Sequence, residues 1–99
     1  RGHTVGFLGK YDKAITDFTE AVRIDPEYVD ADYMRGVAYS FLEEYDKVIA
    51  DYTAAIRIDP DYAKAYYYRG VAQRELGNLV KADADFAKAK GLGYEPDDE

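Results

Sequence analysis

The tripeptide Ile24-Asp25-Pro26 returns as Ile58-Asp59-Pro60, 34 residues later, and most of the chain repeats at the same offset. Arg1-Gly2 falls on Arg35-Gly36 and again on Arg69-Gly70. Tyr11-Asp12-Lys13 falls on Tyr45-Asp46-Lys47, Asp17-Phe18-Thr19 on Asp51-Tyr52-Thr53, and Ala21 on Ala55 and Ala89. A period of this length marks stacked supersecondary units, none of which can bury its apolar face alone. The core of such a chain is a continuous strip shared between neighbours.

Within each period the apolar residues recur at spacings of three and four, the signature of amphipathic helices. Ala14, Ile15, Phe18, Ala21 and Val22 define one face between Asp12 and Ile24. Ala31, Met34, Val37, Ala38, Phe41 and Leu42 define the next, from Val29 to Leu42. Asp46–Ile58, Ala63–Leu76 and Val80 to Lys90 follow, alternating two helix types. Residues 1–8 match the second half of a first-type helix, and Gly9 is expected to end it in a left-handed conformation. Glu43 and Gly77 occupy the same turn position, where glutamate costs about 1 kcal/mol relative to glycine. The sequence thus predicts an all-α array over residues 1–93. It comprises a partial repeat (1–26), a full repeat (27–60), a terminal repeat (61–93) and a frayed acidic tail (94–99).

The terminal repeat departs from the others in a directed way. Ile15 and Ile49 give way to Asp83, and Val22 and Ile56 to Lys90. Polar residues there suit a second-type helix that meets water instead of another repeat.

A net charge of −7 argues against nucleic acid, whose phosphates require a basic face. Without cysteine there is neither a disulfide framework nor thiolate chemistry. A reducing, cytoplasmic setting is expected, with no membrane insertion, because no apolar run approaches a membrane span. Starting at Arg1 instead of Met, the chain reads as a fragment or processed product. His3 is the only histidine and has no ligand partner at helical spacing, so no metal site is expected. The glycines recur at helix crossings and turns instead of forming a phosphate loop. Asp30 and Asp32 read as a solvated face. No cofactor and no catalytic residue are expected.

The 34-residue helix-turn-helix unit resembles the tetratricopeptide repeat (TPR) family. At the family's motif places stand Asp32, Arg35, Gly36, Tyr39, Val48, Tyr52 and Pro60, then Tyr66, Arg69, Gly70, Gln73, Ala82, Phe86 and Tyr94. The usual Trp and Leu are missing, Val48 replaces a small Ala, and Tyr94 replaces a proline. The resemblance implies a right-handed α-solenoid whose first-type helices line a concave groove that takes an extended or helical peptide. Carried onto this chain, the groove comprises His3 and Phe7, then Asp30, Tyr33, Met34, Val37 and Phe41, then Lys64, Tyr67, Tyr68, Val71 and Arg74. The subclass that clamps the terminal carboxylate of chaperones needs several cationic or amide side chains. Here the matching places hold His3, Met34, Lys64 and Tyr68, and only Lys64 agrees.

Independently of the family, Tyr33 and Tyr67 share one repeat position, as do Met34 and Tyr68. Such recurring residues serve either as anchors for a bound peptide or as packing between helices. Arg1, Arg35 and Arg69 share another position, as do Asp17, Asp51 and Asp85, which reads as a ladder of paired Arg and Asp between helices. The alternative role is self-assembly, a homo-oligomer stacking through an N-terminal edge of Val5, Phe7, Leu8, Ile15 and Phe18.

Overall fold

The computed structural model describes the backbone of residues 2–94 and the side chains of residues 9–94. Arg1, the side chains of His3, Val5, Phe7 and Leu8, and the tail beyond Tyr94 lie outside the described residues. Among the described residues five helices follow in order: α1 (Gly2–Ile24), α2 (Val29–Phe41), α3 (Tyr45–Ile58), α4 (Ala63–Glu75) and α5 (Leu79–Gly91). Each packs on the next, in a stack measuring 40 × 33 × 24 Å. The architecture is the all-α solenoid that the repeat requires.

Local chemistry sets the helix ends. Pro26 and Pro60 lack the N–H that a continuing helix needs. Asp25 and Asp59 then fold the chain, each carboxylate accepting the backbone N–H two residues on, at 3.1 and 3.2 Å. At the other ends Glu43 (φ 61), Gly77 (φ 86) and Gly93 (φ 96) take the left-handed conformation. The following N–H groups reach back to orphan carbonyls: Glu44 to Tyr39, Asn78 to Gln73 and Tyr94 to Ala89.

The core is made mostly of alanine. Val48, Tyr52, Ala55, Ala65 and Ala72 form its centre, with Val37, Tyr39, Ile49 and Ile56 packed around them. Small residues let the helices approach closely. A Cβ on Gly36 would stand 2.7 Å from the Tyr52 ring, and one on Gly70 2.9 Å from Phe86. At the far end Asp83 and Lys90 are exposed, whereas Ile49 and Ile56 in the same register are half-buried beneath α4. The polar substitutions in the last repeat therefore fall on the outer face of α5.

One expectation fails at the start of the chain. Gly9 does not end a helix: α1 runs unbroken from Gly2 to Ile24, and Gly9 has no positive φ. Turning back there would break a turn of backbone hydrogen bonds in order to pack only eight residues, two of them glycine. Continuing the helix keeps those bonds.

Two substitutions at the same repeat position test this geometry by urea unfolding. Gly9→Ala should stabilise the fold by about 0.5–1 kcal/mol, because Gly9 is helical and a Cβ there meets open space. A left-handed Gly9 would reverse that sign. Glu43→Gly should stabilise by about 1 kcal/mol, because Glu43 bears the strain that Gly77 avoids.

Candidate functional site

Where α2, α3 and α4 meet, a cavity of ≈ 220 Å³ is lined by Tyr33, Val37, Ser40, Phe41, Tyr52 and Tyr68. Tyr33, Val37, Ser40 and Phe41 recur at helical spacing, so one face of α2 supplies a whole wall. Tyr68 of α4 forms the opposite side, and the fully buried Tyr52 of α3 the floor. Of the sequence-derived groove residues, the cavity thus gathers Tyr33, Val37, Phe41 and Tyr68. Periodicity did not reveal Ser40 or Tyr52, although Tyr52 carries the aromatic position of its repeat.

The tyrosines form two clusters of ring contacts. Tyr33 packs between Tyr52 (ring centroids 5.4 Å) and Tyr62 (5.0 Å). One repeat later, Tyr67 packs between Phe86 and Tyr94, both at 5.3 Å, with Tyr68 edge-on at 5.0 Å. Tyr94 thus does for the last repeat what Tyr62 does for the middle one. It is packed rather than frayed, unlike the sequence expectation. A hydrogen bond to Tyr68, with burial, pushes the Tyr94 hydroxyl up to about 12. Burial, reinforced by the neighbouring tyrosines, moves Tyr33 to about 12 and Tyr52 upward as well. All three therefore stay neutral donors at physiological pH.

The remaining predicted groove residues stand around this centre. Met34 and Phe41 are substantially exposed, and the Tyr11 ring stacks on Phe41 at 4.9 Å. Asp30 and Lys64 are exposed and Val71 is half-buried. Arg74 lies over the Phe86 ring, 5.6 Å from its centroid. Tyr33 and Tyr67 thus serve packing with part of their surface, whereas Tyr68 keeps 37% of its surface exposed.

Beneath the aromatic cluster runs the Arg–Asp ladder. Arg35 donates to both carboxylate oxygens of Asp51 at 2.9 and 2.7 Å, and to the Thr19 hydroxyl at 3.2 Å. Arg69 repeats the set with Asp85, at 2.8 Å twice, and Thr53, at 3.2 Å. Each arginine ties its own repeat together and reaches the preceding one. Both arginines are thus engaged in the fold. Asp32, expected on a solvated face, is instead 2% exposed and lies 3.8 Å from Arg35. It occupies the place of the family's Trp, the signal that could have corrected the expectation. Burial, and then the Asp51 charge, raise its pKa; Arg35 and Arg57 oppose this. Burial likewise raises Asp51 against the pull of Arg35.

Among the described residues no group of three or more His, Cys, Asp or Glu side chains is placed to hold a metal ion, and no helix is long and apolar enough to cross a membrane.

Comparison with known proteins places this geometry. A family model described as TPR repeat matches residues 8–40 and 42–77. No curated protein matches the chain significantly. Among solved structures, the first TPR of Spaghetti (RPAP3) bound to HSP90 peptide SRMEEVD is similar at TM-score 0.83 and 30% identity. The match covers 93% of this chain and 73% of that one. The TPR domain of Arabidopsis OM64 superposes at TM-score 0.82 and 30% identity, over 94% of this chain and 77% of that one. MamA follows at TM-score 0.82 and 31% identity, over 84% of this chain and 48% of that one.

The ladder yields a pH-dependent expectation. A carboxyl whose pKa is raised by folding favours the folded state below its unfolded pKa, and that contribution is lost as pH rises through the folded value. Asp32→Asn should therefore raise Tm at neutral pH, with the gain shrinking as pH falls through the raised folded value and gone below about 4, where the carboxyl is neutral in both states. Thermal melts across that range check it. Arg35→Leu, which leaves Asp32 and Asp51 buried without their cation, should cost about 3–5 kcal/mol.

Proposed function

Since this chain belongs to the tetratricopeptide-repeat family, a class of protein-interaction modules, we propose that it is a non-enzymatic scaffold binding a peptide segment of another protein in its tyrosine-rich groove. The observation that carries this reading is the cavity between α2 and α4, walled by one face of α2 and by Tyr68 of α4 and open to solvent through Phe41 and Tyr68. One apolar anchor side chain of the peptide fills it, against Tyr33, Val37 and Phe41 above Tyr52. The tyrosine hydroxyls are donors and acceptors for the peptide backbone, as in other aromatic-lined grooves. Met34 extends the apolar surface, with Tyr67 and Val71 continuing it along α4. Lys64 and Arg74 on one side and Asp30 on the other set the direction of the chain. A preformed groove of this size fits micromolar affinity, about −8 kcal/mol.

The ligand differs from the HSP90 peptide named with the Spaghetti domain. Met34 and Tyr68 stand at two of the places where a terminal-carboxylate clamp needs donors, and one exposed Lys64 holds a carboxylate poorly. A second reading, self-association through the N-terminal edge, has one observation in its favour. Phe18 is only half-buried, where its counterpart Tyr52 is fully buried, on a helix that does not turn back.

Screening a peptide library with apolar anchors, followed by calorimetric titration, tests the groove. Tyr33→Ala combined with Tyr68→Ala should weaken the selected peptide about tenfold or more while helical circular dichroism is retained. SRMEEVD should bind more weakly than the selected peptide. Undiminished binding by the folded double variant rejects the groove.

A further inference from the structure

Successive repeats are joined differently at equivalent places. Phe41 and Glu75 end α2 and α4 at one repeat position, and Tyr11 and Tyr45 share another. At the first junction the Tyr11 ring stacks on Phe41, with centroids 4.9 Å apart and planes 10° from parallel. At the second the place of Phe41 is taken by Glu75, which is exposed, and Tyr45 has no ring contact among the described residues. A carboxylate covers less of a phenol ring than a phenyl group does. A cavity of ≈ 270 Å³ opens at this junction, lined by Glu43, Glu44, Tyr45, Asp46, Lys47 and Leu76. It shares no residue with the groove cavity.

Two properties of this cavity define what fits it. The first is negative charge. Glu43, Glu44 and Asp46 line it, and Glu75 precedes Leu76 in the chain. Lys47, the cation in its wall, is already paired with Glu44 at 3.2 Å and lies over the Tyr39 ring. Burial, and then the Glu75 and Glu43 charges, raise the pKa of the Tyr45 hydroxyl, so both carboxylates act on this ring. The second property is apolar surface. Tyr45 packs on the core, Leu76 is 43% exposed, and Leu79 (59%) and Val80 (84%) follow it across the turn at Gly77. A ligand that is only apolar leaves the carboxylates without a partner as it desolvates them. A guanidinium meets both demands, since its plane lies on an aromatic ring while its N–H groups fork toward carboxylates. The chain makes the first of these contacts within itself, with Arg69 5.5 Å from the Tyr66 centroid and Arg74 5.6 Å from that of Phe86.

We propose that this cavity is a second docking surface, which takes an arginine and a neighbouring aliphatic side chain from a segment of a partner protein. The guanidinium lies on the Tyr45 ring and donates to Glu75 and Glu43, and the aliphatic side chain packs on Leu76 and Leu79. The arginine thus supplies from another molecule the cover that Phe41 gives Tyr11. The proposal also accounts for Glu43, which keeps a carboxylate in left-handed backbone at the position where the next repeat has Gly77.

An arrayed library of short peptides, with arginine, lysine, glutamate and aliphatic residues varied, tests the surface on the whole chain, and calorimetric titration follows for the selected peptide. Selection should favour an arginine beside an aliphatic residue, and lysine in its place should weaken binding about twofold or more. Glu75→Phe restores the ring found at Phe41 and fills the cavity. It should raise Tm, weaken the selected peptide about tenfold or more, and leave a peptide bound in the groove unaffected. Glu43→Gly, which relieves the strained backbone, should weaken the selected peptide about twofold to fivefold while the fold is stabilised. A library without enrichment of arginine overturns the proposal. So does a selected peptide that binds the folded Glu75→Phe variant undiminished, because it then docks elsewhere. If Glu75→Phe loses helicity, Glu43→Gly decides, and undiminished binding there is equally fatal. None of these readings requires an occupied groove, so either surface can fail without the other.

Discussion

The close crossing of the two helices within each repeat is the constraint on which the rest depends. Gly36 against Tyr52 and Gly70 against Phe86 leave no room for a Cβ, so a large aromatic ring on one helix lies directly on the backbone of the other. Close approach brings the arginine beside each glycine within bidentate reach of an aspartate on the facing helix. An ion pair shielded from water gains little net stability, because desolvation offsets much of the Coulomb attraction. Its contribution is geometric. Two parallel N–H···O bonds fix the register of the hairpin, and the third arm, to Thr19 or Thr53, fixes the register between repeats.

Asp32 shows what that arrangement tolerates. The middle repeat places a second buried carboxylate next to an arginine already committed to Asp51, where the last repeat places Tyr66. Tyr66 presents its ring to Arg69, 5.5 Å from the centroid, and to Lys88. One site thus holds excess buried negative charge and the other an aromatic face beneath two cations. Equivalent places in a repeat array are therefore not energetically equivalent.

The resemblance placed Tyr33, Val37, Phe41 and Tyr68 on the groove side of their helices, and the structure gathers these four around one cavity. Tyr52 and Ser40 were not legible. Tyr52 belongs to a second-type helix, and its ring reaches the cavity only because Gly36 lets α2 settle onto it. Tyr94 was misread for a related reason. Its neighbours in sequence are Gly93 and an acidic tail, whereas its neighbours in space are Tyr67 and Tyr68.

The sequence by itself determined the helix count in the regular part, the helix ends at Asp-Pro and at the left-handed residues, the Arg–Asp pairing and the polar outer face of α5. Each follows from local chemistry repeated at a fixed period, so one repeat informs the next. Tertiary structure decided where the period fails. Gly9 occupies the turn position of Gly77, yet it stays helical. A turn forms there only when folding back buries enough surface to replace the backbone hydrogen bonds it breaks. That balance depends on what packs against the returning segment, which the residues at the turn do not encode. The burial of Asp32 was settled the same way, by the helices around it instead of by its own spacing.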